Sequence, residues 1–79
     1  MEKDPKLVLF GKHLRALRKD AGFTQENFAT EVGLDRSYMG GIERGERNIS
    51  TLTAMQIAIA LGVEVGELFP DIKSLKKAK

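Results

Sequence analysis

Apolar residues recur along most of this chain at intervals of three and four, the spacing of one helix face, and nowhere alternate as a strand requires. Leu7, Phe10, Leu14 and Leu17 form the first stripe. Ahead of it, Asp4 suits an N-cap and Pro5 the first helical position, and Gly22 suits a stop. Thr24 can cap a second segment whose inward face is Phe28, Ala29 and Val32 and whose stop is Gly33. Asp35 can cap a third, ending at Gly45, and Ser50 a fourth, running to Leu61 and stopped by Gly62. A short fifth, Val65 to Phe69, is closed by Pro70. The pattern predicts helices at about 5–21, 25–32, 36–44, 51–61 and 65–69, an all-α, compact five-helix domain over residues 1–70. Residues 71–79 form a basic tail, expected to be frayed or weakly helical.

Only Gly33-Leu34-Asp35 separates the second and third helices, so the two must meet at a steep angle, which is the signature of a helix-turn-helix. On a wheel of the third helix, Tyr38, Met39 and Ile42 gather into one apolar arc facing the core. Arg36, Ser37, Gly40, Gly41 and Arg44 take the outward side. Each glycine inside a helix costs about 1 kcal/mol relative to alanine, so two in succession need a reason. The reason this pattern suggests is access: a low strip between Arg36 and Arg44 would let a DNA groove lie against the backbone. Arg36 and Ser37 fall at the helix N-terminus, where a recognition helix meets base edges, and arginine can grip guanine O6 and N7 with two bonds. The plainer alternative is close helix packing beneath a solvated arginine face.

Bulk charge does not make that case alone. Residues 1–70 hold nine Lys/Arg against ten Asp/Glu, a net of −1, while the tail holds four Lys against one Asp, a net of +3. The placement of individual arginines therefore carries the argument. There is no cysteine, which excludes disulfides and thiolate metal sites and fits a reducing cytoplasm. The longest nearly apolar run, Ala54 to Val63, is too short to span a bilayer, and "MEKDPK" is no signal peptide.

The stretch "TQENFATEVGLDRSYMGGIERGERNIS" resembles the helix-turn-helix of the phage-repressor and Cro-like family. Within it, "GLDRSYMGGIERGERNIS" is most similar to the controller proteins of bacterial restriction–modification systems, and the likeness runs from about Phe10 to Phe69. The resemblance implies a phosphate contact at Gln25, base contacts at Arg36 and Ser37, and Tyr38 beside the backbone or groove. It implies that Arg47 and Asn48, in the following loop, reach the DNA backbone or an outer base. It also implies a bracing pair between Glu43 and Arg18. Many relatives carry a phosphate-bonding side chain where this chain has Gly40 or Gly41, so backbone contacts there are expected to be fewer.

The fourth helix is too apolar for one buried face. Ala54, Ile57, Ala58 and Leu61 point to the core, while Leu52, Met55 and Ile59 form a second stripe almost opposite. Contiguous exposed apolar residues mark a partner site. The expected partner is a second copy in a two-fold homodimer, with Val63 or Val65 joining the contact; the alternative is that the tail folds back through Ile72 and Leu75. Together these readings predict an autoregulating transcription factor, repressor or activator, binding double-stranded DNA as a homodimer on a pseudo-palindromic operator. It is expected in the bacterial cytoplasm with the nucleoid, away from the membrane, with no cofactor, metal or small-molecule ligand. The competing readings are an antitoxin-type repressor that also holds a toxin, and a helical module that binds protein alone. An enzyme is not expected, because the sole histidine, His13, lies on the polar flank of the first helix with no nucleophile or ligand set around it, a solvated surface position.

Overall fold

The computed structural model describes residues 3–78. Its elements are α1 (Pro5–Asp20), α2 (Gln25–Val32), α3 (Arg36–Glu43), α4 (Thr51–Leu61), a 3₁₀ turn (Val65–Leu68) and α5 (Ile72–Lys77), and no strand occurs among the described residues. The first four helices start where the sequence places them, each because a short polar side chain takes up an otherwise orphaned backbone N–H. Asp4 accepts from Lys6 N at 2.8 Å, Thr24 from Asn27 N at 3.0 Å, Asp35 from Ser37 N at 2.9 Å and Ser50 from Thr53 N at 3.1 Å.

Two expectations change at the C-terminal end. The segment expected as a fifth helix over 65–69 is a single 3₁₀ turn over Val65–Leu68, with Gly66 inside it and Pro70 just beyond. The fifth α-helix lies instead in the tail. Asp71 accepts from Ser74 N at 2.7 Å, which starts α5, and Lys76 and Lys77 occupy its last turn, where cations are favourable. Those Ser74 hydrogen bonds hold the Asp71 carboxyl below its ordinary range.

The core draws on every helix but α5. Phe10 and Leu14, Phe28, Ala29 and Val32, Met39 and Ile42, Ala54, Ile57 and Ala58, and Leu68 of the 3₁₀ turn are all buried. Leu17, Tyr38, Leu61 and Val63 pack around them half-exposed. Phe69 is partly exposed and stacks on Phe10 with ring centroids 5.3 Å apart. His13 departs from the solvated surface position expected of it. It is half-buried, and its Nε2 lies 2.8 Å from the Glu67 carbonyl oxygen, joining α1 to the 3₁₀ turn.

The turn between α2 and α3 is closed by Gly33 at φ 87°, a conformation that side chains other than glycine rarely adopt. Leu34 N donates to Ala29 O at 2.8 Å and Gly33 N to Thr30 O at 3.1 Å, the paired bonds of a Schellman stop. Asp35 then caps α3 at once, so the chain changes direction within three residues.

Crossing of α1 over α3 depends on Gly11. A β-carbon built there would lie 2.6 Å from the Ile42 carbonyl oxygen and 2.8 Å from the Glu43 carbonyl carbon, both rigid backbone. Gly11→Ala is therefore expected to destabilise the fold by roughly 1–3 kcal/mol, the range for overpacking, although alanine is the better helix former. Gly66→Ala, with open space around it, serves as the control, and urea unfolding of both variants measures the difference.

Candidate nucleic-acid interface

The inner side of α3 is fixed by one buried polar node. Glu43, 8% exposed, accepts from Arg18 Nε at 2.6 Å and from Arg18 Nη2 at 3.0 Å, and Arg18 is itself 6% exposed. Arg18 Nη1 also donates to the Phe23 carbonyl at 2.9 Å, and Gln25 Nε2 donates to Glu43 Oε1 at 3.1 Å. The node thus ties α1, the loop after it, α2 and α3 together. No buried side-chain polar atom lacks a partner among the described residues. The bracing pair implied by the resemblance is present, with half-buried Gln25 as a third member whose amide nitrogen is turned to Glu43.

The outer side of α3 holds Arg36 and Ser37, both exposed in its first turn. With Gln25, Gly40 and Arg44 they line a shallow hollow of about 310 Å³. The expected bare strip is not bare. Gly40 and Gly41 are buried beneath side chains: Arg44 with Gln25 over Gly40, and Arg47 over Gly41. A β-carbon on Gly40 would come 3.0 Å from Arg44 Nη1, and one on Gly41 would come 3.0 Å from Arg47 Cγ. No backbone from elsewhere in the molecule stands among their nearest neighbours. The helical wheel gives the direction in which a side chain leaves its helix but not the path of its outer atoms, and a long guanidinium folds over the nearest gap.

Both arginines are also held from a second side. Arg44 Nε and Nη2 donate to Glu46 Oε2 and Oε1 at 3.0 and 3.2 Å. Lys3 Nζ adds a looser contact to Glu46 at 3.5 Å. The hydrogen bond from Arg44 holds the Glu46 carboxyl below its usual range and raises Arg44 correspondingly. Arg47 lies over the Tyr38 ring with its Cζ 5.6 Å from the centroid, a cation–π arrangement, while Tyr38 packs half-buried against the core. Asn48 is exposed just beyond. Glu46 was not among the residues singled out from the sequence; its spacing of two from Arg44, in a loop, carries no periodic signal.

Comparison with known proteins identifies the family. The family model described as "Helix-turn-helix" matches residues 14–68. The chain belongs to the helix-turn-helix family. Control protein C.MunI of Mycoplasma sp is 42% identical over 67 residues, which is 84% of this chain and 90% of that protein. The crystal structure of the restriction–modification controller protein C.AhdI from Aeromonas hydrophila matches with a TM-score of 0.77 at 52% identity, covering 80% of this chain and 96% of that one. The master regulator for biofilm formation SinR, solved in complex with DNA, matches at TM-score 0.71 and 28% identity, over 75% of this chain and 95% of that chain. This helix-turn-helix protein is a DNA-binding transcriptional regulator similar to restriction–modification controllers. Among the described residues no helix is long and apolar enough to cross a membrane, and no group of His, Cys, Asp or Glu is placed to hold a metal ion.

Removing Glu43 would strand Arg18 in the interior. Glu43→Ala is expected to cost roughly 3–5 kcal/mol, whereas the apolar pair Arg18→Met with Glu43→Leu should recover most of it. Thermal melts of the two variants check this.

Proposed function

We propose that this protein binds a pseudo-palindromic operator as a two-fold homodimer and regulates transcription, including its own, in the manner of a restriction–modification controller. One observation carries the proposal: the α3 face that follows the Asp35 cap is paved with Arg36, Arg44 and Arg47, while its inner face is anchored through Glu43 to Arg18 of α1. An arginine-bearing helix backed rigidly against two others suits insertion into a major groove. Arg36 and Ser37 would meet base edges, Arg44, Arg47 and Asn48 the flanking backbone, and Tyr38 the groove wall. Gln25, already bonded to Glu43, would pass a phosphate contact inward to the buried node. Such a protein would act in the cytoplasm with the nucleoid.

The second copy is argued from α4. Ile59 is 77% exposed and Leu52 62%, and Met55 and Val65 are open beside them. Val63 packs against its own core and can offer only part of its surface. The tail borders one end of the stripe without covering it. Half-buried Leu75 helps line an apolar groove of about 430 Å³ with Met55, Val65, Phe69 and Leu7, while Ile72 stays 64% exposed. Leu52 and Ile59 are not lining residues of that groove, so α5 does not replace a partner over them. A dimer on this stripe would present two copies of α3 to successive grooves about 34 Å apart on one side of the duplex.

Arg36→Ala is expected to lose about 1–3 kcal/mol on the specific site and to relax base preference there, leaving affinity for random duplex nearly intact. Titrations on both duplexes, repeated at several salt concentrations, check this; a uniform loss would make Arg36 a phosphate contact. Ile59→Glu is expected to give a monomer in sedimentation equilibrium while the helical content by circular dichroism is retained; a dimer of unchanged strength would reject the α4 interface.

A further inference from the structure

We infer that Gly40 and Gly41 serve as seats for the phosphate-gripping arginines Arg44 and Arg47, and are not openings through which DNA reaches the α3 backbone. This rests on the DNA contacts proposed above and specifies how that surface is prepared for them. The Arg44 guanidinium lies across Gly40, where a β-carbon would stand 3.0 Å from Nη1, with Gln25 Oε1 3.4 Å away. The Arg47 stem lies across Gly41, where a β-carbon would stand 3.0 Å from Cγ and 3.3 Å from Nε. Each seat is matched by a second restraint, the Glu46 carboxylate for Arg44 and the Tyr38 ring for Arg47.

The geometry leaves the gripping atoms available. Glu46 occupies Nε and one N–H of Nη2 of Arg44, so both N–H groups of Nη1 and the other of Nη2 remain for an acceptor. Those atoms border the hollow shared with Gln25, Arg36 and Ser37. An arginine is rotamer-rich, and fixing it only when DNA arrives subtracts from affinity; one already laid flat over a glycine has lost much of that freedom beforehand. Glu46 acts in the same sense, as a positioning residue behind Arg44.

A methyl group at either seat meets only flexible side-chain atoms, so the helix can accept it by releasing the arginine. Folding and binding should then move apart. Gly40→Ala and Gly41→Ala are expected to melt at or above the wild-type temperature, because alanine favours the helix. Each is expected to weaken binding about twofold to tenfold per protomer, the scale of one newly immobilised side chain.

The test is a pair of double-mutant cycles on a duplex selected from a random pool by the wild-type protein. Titrations compare Gly40→Ala, Arg44→Ala and their combination, and Gly41→Ala, Arg47→Ala and their combination, with melts of every variant. The seats require that Gly40→Ala add no loss once Arg44 is absent, and Gly41→Ala none once Arg47 is absent. If either glycine substitution costs as much without its arginine as with it, DNA approaches the backbone directly and the inference falls. Wild-type affinity for both glycine variants, or a clear drop in their melting temperatures, also overturns it. If Arg44→Ala and Arg47→Ala bind like the wild type, the arginine contacts themselves are absent, a failure visible in those single variants before the glycines enter.

Discussion

The orientation of α3 depends on the buried bond between Arg18 and Glu43. Taking two opposite charges out of water is unfavourable unless their geometry is close and their remaining hydrogen-bonding atoms are satisfied. Here Arg18 spends three of its nitrogens on Glu43 and the Phe23 carbonyl, and Glu43 takes a further bond from Gln25. A pair so demanding tolerates few alternative helix positions, and it fixes which side of α3 faces inward. Each helical residue turns about 100° from the last, so fixing Glu43 inward brings Arg44 round to the exposed flank. Gly11 lets α1 lie close enough for this, since its missing side chain is what allows backbone contact with the end of α3.

The outward surface is then assembled from side chains rather than from exposed backbone. Glycines within a helix remove a wall, and the space is taken by Arg44 and Arg47 from the residues that follow. The carboxylate of Glu46 and the ring of Tyr38 complete the restraint, one by charge and one by its π face. Each of these partners lies within nine residues of its arginine, so the restraint on the arginines is local, while the orientation of the helix that carries them rests on Arg18 and Gly11.

Much of this was legible in the sequence because its signals are local. Asp4, Thr24, Asp35 and Ser50 act as caps through bonds to residues two or three positions on, and Gly33 stops α2 through bonds just as short. Periodicity likewise separated the core residues Ala54, Ile57 and Ala58 from the exposed Leu52 and Ile59. The bond between His13 and the Glu67 carbonyl spans 54 positions, and no local pattern announces it. The Arg18–Glu43 pair, 25 positions apart, was legible only through family resemblance. In the tail the lysines are the conspicuous signal, and the cap that Asp71 offers to Ser74, which starts α5, is the weaker one. The arginine-covered glycines were misread for a different reason: a wheel describes where the β-carbons point, and an arginine ends several bonds beyond its own.

Placing Arg36, Arg44 and Arg47 on one face has an electrostatic consequence for encounter. Residues 1–70 total −1; the three arginines with the Glu46 carboxylate beside Arg44 make that face +2 and leave −3 on the rest of the body. To a polyanion the body is therefore a dipole with almost no monopole. Beyond a Debye length of about 8 Å the body adds little to the pull of the +3 tail, and inside that distance the torque on it favours one orientation over the others. Wrongly turned collisions would separate quickly, and productive ones would be sorted by rotation at short range.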